Sequence, residues 1–287
     1  MTPTATLHRL CILVFASLMP VLVTAQSTEP PAAPPPAPLQ AQQVDPDVLV
    51  DVLQPDFSLA ALPTTLRMPD GQWAFRVTHR FTRNLGAGDF GDAASNLFGL
   101  DGGSQVGLEV RWGLRPGTQV GLHRTSDRSI QLFAQQNILN QRTGAPVGLD
   151  AIATLEGEDN LSERYKGALG LVASKGVGSL ATLYAEPLVV VNSNPFEGGD
   201  EHTLMIGLGG RFRVRRTMYL LAEYTPRLAG YHPFADQVTF GFESRAGGHL
   251  FQINVGNGFG TTFGQLAAGG VDYDQWFLGF NLSRKFF

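Results

Sequence analysis

One cysteine in 287 residues leaves nothing from which to build a disulfide framework. Charge is scarce too: Asp, Glu, Lys and Arg make up 16% of the chain, against about 25% in an ordinary soluble domain. That scarcity excludes a coiled coil and a disordered acidic chain. A net charge of -4 offers no electrostatic footprint for nucleic acid. No stretch beyond the N-terminal one approaches the ~18 consecutive apolar residues of a spanning helix, so mature transmembrane helices are excluded. What the chain has instead is glycine (34), phenylalanine (19) and an apolar fraction of 43%.

Residues 1–25 read as a secretory signal. Arg9 precedes an apolar run from Leu10 to Val23, interrupted by Ser17 and Pro20 and too short to span. Val23-Thr24-Ala25 supplies a cleavage site after Ala25, and cleavage there would remove Cys11. Residues 26–63 read as a Pro-rich periplasmic linker with a short element, in which Asp45-Pro46-Asp47 resembles a helix start. Residues 64–287 read as one β-barrel domain.

From Trp73 onward the hydrophobic period is two. Trp73-Phe75-Val77 opposes Arg76, Thr78 and Arg80, Val106-Leu108-Val110-Trp112 opposes Glu109 and Arg111, and the pattern recurs to Trp276-Leu278-Phe280-Leu282. About twelve strands emerge. They are longer than the ~5–6 residues of globular strands and match the ~9–11 needed to cross a bilayer. Tight turns such as Pro116-Gly117 and Gly247-Gly248 alternate with longer loops at 83–103, 193–201, 226–236 and 258–273. The expected fold is therefore all-β, a transmembrane antiparallel up-and-down barrel with both termini in the periplasm. A short connection at Ser126-Asp127 and a long one at 138–146 break the alternation, and Pro187, awkward mid-strand, suggests either a bulge or a misplaced seventh strand.

In this phase the cations Arg76, Arg80, Arg111, Lys166, Arg211, Arg213, Arg245 and Lys285 face inward, with the acids Glu109, Asp150, Glu186, Glu223 and Glu243. The reverse phase would place those cations in hydrocarbon, at roughly 2–4 kcal/mol each near the midplane. Arg76, Arg80, Glu109, Arg111, Lys166, Arg211, Arg213, Glu223, Glu243 and Arg245 are the expected lumen lining. Trp73, Trp112 and Phe286 fall at turn-side strand ends, and Tyr224 and Trp276 at loop-side ends, as two interfacial girdles would require.

The last strand, FLGFNLSRKFF, resembles the C-terminal strand of bacterial outer-membrane barrels that the barrel-assembly machinery reads. Further motifs resemble an uncharacterised bacterial barrel family, domain of unknown function 5777. They are Thr78-His79-Arg80-Phe81, Leu97-Phe98-Gly99-Leu100-Asp101, Gly247-Gly248-His249-Leu250-Phe251-Gln252 and Gly279-Phe280-Asn281-Leu282-Ser283-Arg284. The similarity runs from about Thr65 to the C-terminus. It implies a barrel in the outer membrane and carries no reaction, ligand or cofactor.

Little chemistry is legible. His79 and His249 fall on the apolar face, either as a paired site or, more plainly, as interfacial side chains. Asp200-Glu201-His202 offers cation ligands on a loop, and His232 with Asp236 offers an acid–base pair lacking a third group. Gly207, Gly209 and Gly210 lie inside a strand, where they relieve crowding or permit curvature rather than bind a dinucleotide. Twelve strands fall between a filled interior and an open channel, so a narrow pore is expected, or one blocked by 83–103 or 48–72. The expected partners are outer-membrane lipid, the assembly machinery and a periplasmic protein on the Pro-rich segment, with no nucleic acid. A pore for small solutes leads. A structural or partner-docking barrel and a barrel enzyme are the alternatives.

Overall fold

A computed structural model describes residues 53–196 and 201–287. The leader, the Pro-rich segment, the helix start at Asp45-Pro46-Asp47 and Asp200 lie outside the described residues. Among the described residues no helix is long and apolar enough to cross a membrane.

The strands are β1 Trp73–Asn84, β2 Ser104–Arg115, β3 Thr118–Thr125, β4 Ile130–Leu139, β5 Gly148–Gly157, β6 Glu163–Val177, β7 Ala181–Val191, β8 Thr203–Arg215, β9 Met218–Thr225, β10 Arg227–Gly230, β11 Gln237–Ala246, β12 His249–Gly256 and β13 Phe277–Phe286. β10 resumes the line of β9 past Pro226, so twelve antiparallel staves form the wall. β1 pairs with β13 from Trp73↔Phe286 to Arg80↔Gly279, which closes the barrel and leaves no free edge.

Alternation sets the faces. On β2, Leu108, Val110 and Trp112 are 44%, 43% and 51% exposed on the outside, while Glu109 and Arg111 between them are 6% and 4% exposed. At the turn end, Pro116-Gly117 joins β2 to β3 with Gly117 at φ +79, a conformation that side chains rarely adopt. The two irregular connections stand where the sequence put them, at 126–129 and 140–147. The bulge expected at Pro187 is absent. Pairing with β8 runs unbroken through Pro187↔Ile206, and the β6–β7 ladder keeps its register while omitting pairs between Gly170↔Leu188 and Ala173↔Ala185. The missing N–H is absorbed by a local gap rather than by an extra residue.

Two inserts fill the interior. From the turn end, residues 53–72 rise into the lumen and return to β1. From the loop end, the helix Phe263–Ala268 descends from the β12–β13 loop. They meet in one apolar cluster, in which Leu59, Ala60, Ala61 and Leu62 pack with Phe263, Leu266 and Ala267 against wall residues that include Val172, Leu188, Val190 and Met205. The apolar cluster draws its wall residues chiefly from β5 to β8, and buried ions stand on both sides of the lumen: Arg76 and Glu109 on β1 and β2, Asp150, Lys166, Glu186 and Arg211 on β5 to β8. The 83–103 loop, one of the two expected blocks, does not enter it. Leu97–Gly99 packs instead on outward-facing residues of β1.

Candidate functional site: a plugged lumen

Residues 57–64 form a tight reversal, with Thr64 N–H donating to Phe57 O and Leu59 N–H to Leu62 O, both at 2.8 Å. Small residues, Ala60 and Ala61, occupy its tip, so the backbone itself is what the wall meets. Successive N–H groups of Ala60, Ala61 and Leu62 converge on Glu223 Oε1 of β9 at 2.7, 3.0 and 2.9 Å. Three donors around one carboxylate make a backbone anion nest, here with the anion supplied by the wall.

The carbonyls point the other way, at cations and amides. Ala60 O accepts from Arg76, from Arg80 Nη2 at 3.2 Å and from Asn281 Nδ2 at 3.0 Å. Leu59 O accepts from Gln252 Nε2 at 3.2 Å, and Ser58 O from Arg211 Nη2 at 2.8 Å. Lower down, Ser283 Oγ donates to Asp56 at 2.6 Å, Lys285 Nζ donates to Pro55 O, and Gln119 bridges Leu66 O and Met68 N. The N–H groups of Ala60, Ala61 and Leu62 and the carbonyls of Ser58, Leu59 and Ala60 therefore each meet a partner of opposite character, as burial demands.

A second tier holds these holders. Arg211 makes a bidentate pair with Glu243 at 2.7 and 2.9 Å, both side chains fully buried, and Gln252 donates to the same carboxylate at 2.8 Å. Glu109 accepts from Arg111 at 3.0 Å and faces Arg76 at 3.5 Å, while Arg111 lies over the rings of Phe57 and Phe133. Asp150 accepts from Gln135 and Asn137, both at 2.7 Å. Lys166 stands apart, paired with Glu158 at 2.7 Å near the loop end. Arg245 is buried, and Arg213 is half-buried near the turn end. Glu186 is fully buried, and neither carboxyl oxygen has a hydrogen-bond partner among the described residues.

Gly207 and Gly209 acquire a definite purpose. A Cβ at Gly209 would lie 2.4 Å from Leu59 Cδ1, and one at Gly207 2.7 Å from Leu62 Cδ2, so the two glycines are sockets for the plug leucines. The family-like motifs divide in two. Arg80, Gln252, Asn281 and Ser283 touch the plug, whereas His79, Phe81, His249 and Arg284 face outward, and Gly247 and Gly248 form the β11–β12 turn. His79 stacks on Phe280 at 4.9 Å, and His249 Nδ1 sits 3.0 Å from Arg284 Nη1. Their β13 partners, Phe280 and Arg284, are four residues apart and the two histidines flank β13 on opposite sides, which separates the imidazoles by roughly 16 Å and excludes a shared ligand.

The loop-end helix is anchored at both termini. Its capping box joins Thr262 and Gln265, Phe263 N–H donates to Gln131 Oε1 at 2.8 Å, and Gly264 N–H donates to Glu156 Oε2 at 3.0 Å. Arg227 caps the other end on Ala268 O at 2.9 Å, and its Nε donates to Asp236 at 3.2 Å. Asp236 also meets His232 at 3.1 Å and Tyr224 OH at 3.2 Å, which makes it a loop tether. Burial opposes the charge on Asp236, but the Arg227 backbone N–H and guanidinium together with His232 outweigh it and hold the carboxyl below its ordinary range. Among the described residues no three His, Cys, Asp or Glu side chains are placed to hold a metal.

Glu156, Arg227, Gln119, Gln131 and Gln135 are absent from the sequence expectation, which named 48–72 as one of two alternative blocks without saying what would hold it. The inward period of β5 contains Glu156, and Thr262-x-x-Gln265 is a readable capping box. No comparable signal marks residues 57–64.

A cavity of about 620 Å³ opens at the turn end between Leu53, Arg67, Asn137, Gln141, Ser174 and Phe287, where the plug leaves the barrel. A smaller one of about 300 Å³ lies at the loop end beside Phe234, Phe259 and Gln265.

A family described as a membrane-bound beta barrel domain, domain of unknown function 5777, matches residues 56–286. No curated protein matches the sequence. Among solved structures, a mutant of the Rh. blastica porin is 12% identical with a TM-score of 0.35, over 63% of this chain and 55% of that one. A triple mutant of the Rhodopseudomonas blastica porin is 14% identical with a TM-score of 0.34, over 69% and 58%. LpxR from Salmonella typhimurium is 10% identical with a TM-score of 0.36, over 75% of this chain and 100% of LpxR. The chain spans little more than half the length of the porins it matches.

Proposed function

This chain is a member of the membrane-bound beta barrel family of domain 5777, and from that premise we propose that it is an outer-membrane barrel whose pore for small solutes is held shut by its own N-terminal segment. The observation that carries the reading is the grip of Glu223 on the N–H groups of Ala60, Ala61 and Leu62. Polar contacts of this kind can be exchanged for water, so the plug is a removable part rather than a welded core. Beneath it lie Arg76, Arg80, Arg111 and Arg211 against Glu109, Glu223 and Glu243, and a lumen cleared of the plug favours small anions.

The loop-end helix rests on the plug through the shared apolar cluster and loses that support when the plug leaves. In planar bilayers the whole chain is expected to be silent, deletion of residues 53–63 to give conductance steps, and added shortening of 258–273 to enlarge them. A folded deletion variant that stays silent contradicts the proposal.

The second reading is a docking barrel, and one contact favours it. Leu53 O accepts from Thr182 Oγ1 at 3.1 Å close to the turn end, which is the side assigned to the periplasm. The Pro-rich segment there would present itself to a periplasmic protein, and a partner drawing on it would unseat the plug. Insertion by the barrel-assembly machinery through the last strand completes the expected partners. Crosslinking from residues 27–47 in cells separates the docking reading from a channel that works alone.

A further inference from the structure

The β1–β2 loop is built against the outside of the barrel, and we propose that it is a lipid-bound flap whose occupant is the acyl region of the surrounding membrane. The proposal rests on the membrane barrel alone and is independent of any pore. Phe81 continues the outward phase of Trp73, Phe75, Val77 and His79, and an outward side chain on this wall is ordinarily open, as Leu108 is at 44% exposure. Phe81 is 5% exposed. His79 and Phe280 cover it on one side, with ring centroids 4.4 and 6.1 Å away. The turn Leu97–Gly99 covers it on the other: a Cβ on Gly99 would lie 3.5 Å from Phe81 Cβ and 3.1 Å from Arg83 Cβ. Arg83 Nη2 donates to Ala87 O at 3.4 Å, so both outward residues at the top of β1 are engaged by the loop.

Having bent down the outer wall, the loop turns its apolar side chains away from it. Phe90, Leu97 and Leu100 are 78%, 56% and 53% exposed, and the Phe90 ring stands edge-on to Phe98 at 5.9 Å. Leu97 and Phe98 hold left-handed backbone at φ 46 and 55, a conformation costly for residues of this size. Water gives no return on that cost, whereas hydrocarbon does. The polar residues sit elsewhere in the loop, where Asp89 and Asp92 close a capping box on the helix Phe90–Ser95. The apolar surface of the flap is continuous with the lipid-facing wall of β1 and β13, and the Leu97-Phe98-Gly99-Leu100-Asp101 motif is what forms it.

The test replaces Cys11 with serine, places a single cysteine by Phe98→Cys, and attaches an NBD fluorophore. The protein is then refolded into phosphatidylcholine vesicles, and the boiled and unboiled forms are compared on a gel to establish folding. The expected result is emission quenched by brominated acyl chains as strongly as the same probe at Leu108→Cys, and shielded from aqueous iodide. Iodide quenching matching a probe at Arg142→Cys in the β4–β5 connection, with no response to brominated lipid, overturns the proposal and leaves the surface to water or to a protein partner. Phe90→Cys provides the same readout at the more exposed of the two rings, should Phe98→Cys fail to fold.

Discussion

Leu59 occupies the space that a side chain at position 209 would need: its Cδ1 lies 2.4 Å from where a Cβ on Gly209 would stand, inside a strand otherwise suited to large residues. Gly207 leaves the same vacancy for Leu62. Gly209→Val and Gly207→Val are therefore expected to unseat the plug without disturbing the outward face of β8. Limited proteolysis should cut between residues 53 and 68 in both variants and spare that segment in the parent chain. Leu59→Ala, which empties the socket rather than filling it, should weaken plug docking by about 2–5 kcal/mol, read from the fraction of chains cut at low protease.

Glu223→Ala removes the acceptor of three buried N–H groups. Hydrogen bonds to a charged group contribute roughly 1.5–3 kcal/mol each, and an orphaned buried donor costs a comparable amount. The amides of Ala60, Ala61 and Leu62 should exchange with deuterium more than about a hundredfold faster, since each 1.4 kcal/mol is a factor of ten. Amides of β6 and β7 should not change. Equal acceleration throughout would mean that Glu223 supports the wall rather than the plug.

The Arg211–Glu243 pair is fully buried, so cutting one partner away strands a charge. Arg211→Leu alone should lower stability by about 3–5 kcal/mol, while Arg211→Leu with Glu243→Leu should recover most of that loss. Urea unfolding in detergent, followed by the heat-modifiable gel shift, measures both.

Asp236 gives the loop end its pH dependence. Its folded pKa lies below the ordinary 3.8, so the stabilisation is fully present above the unfolded value and is lost as pH falls through the lower folded one. Protection of the 258–273 amides should be flat from neutral pH down to about 4 and drop below it. Asp236→Asn should lose protection at neutral pH and show no further drop.

The wall was legible because lipid on one side and ions on the other enforce a period of two over every stave, from Trp73 to Phe286. The plug was not. Residues 57–64 adopt no helix or sheet with a period of its own, and Leu-Ala-Ala-Leu-Pro reads like any linker. A further trace was indirect: the strand around Leu188 is apolar on both faces, since Leu188 and Val190 face the plug while Val189 and Val191 face outward. Arg80 was expected in the lumen lining, Gln252, Asn281 and Ser283 were singled out by resemblance without a role, and β13 with its two neighbours brings all four onto one hairpin. The 83–103 loop stood as the other alternative block because length alone says nothing of direction. Phe81 sets it, by offering an aromatic seat on the outer wall.

The central claim is that Glu223 holds a removable plug in a pore. Single-channel recording in planar bilayers tests it on the parent chain and on Glu223→Ala prepared side by side. The account predicts a silent parent and a variant that opens in discrete steps with preference for anions over cations. A parent chain that conducts as freely as the variant, or a variant that stays closed while its Ala60 amide exchanges freely, would contradict it.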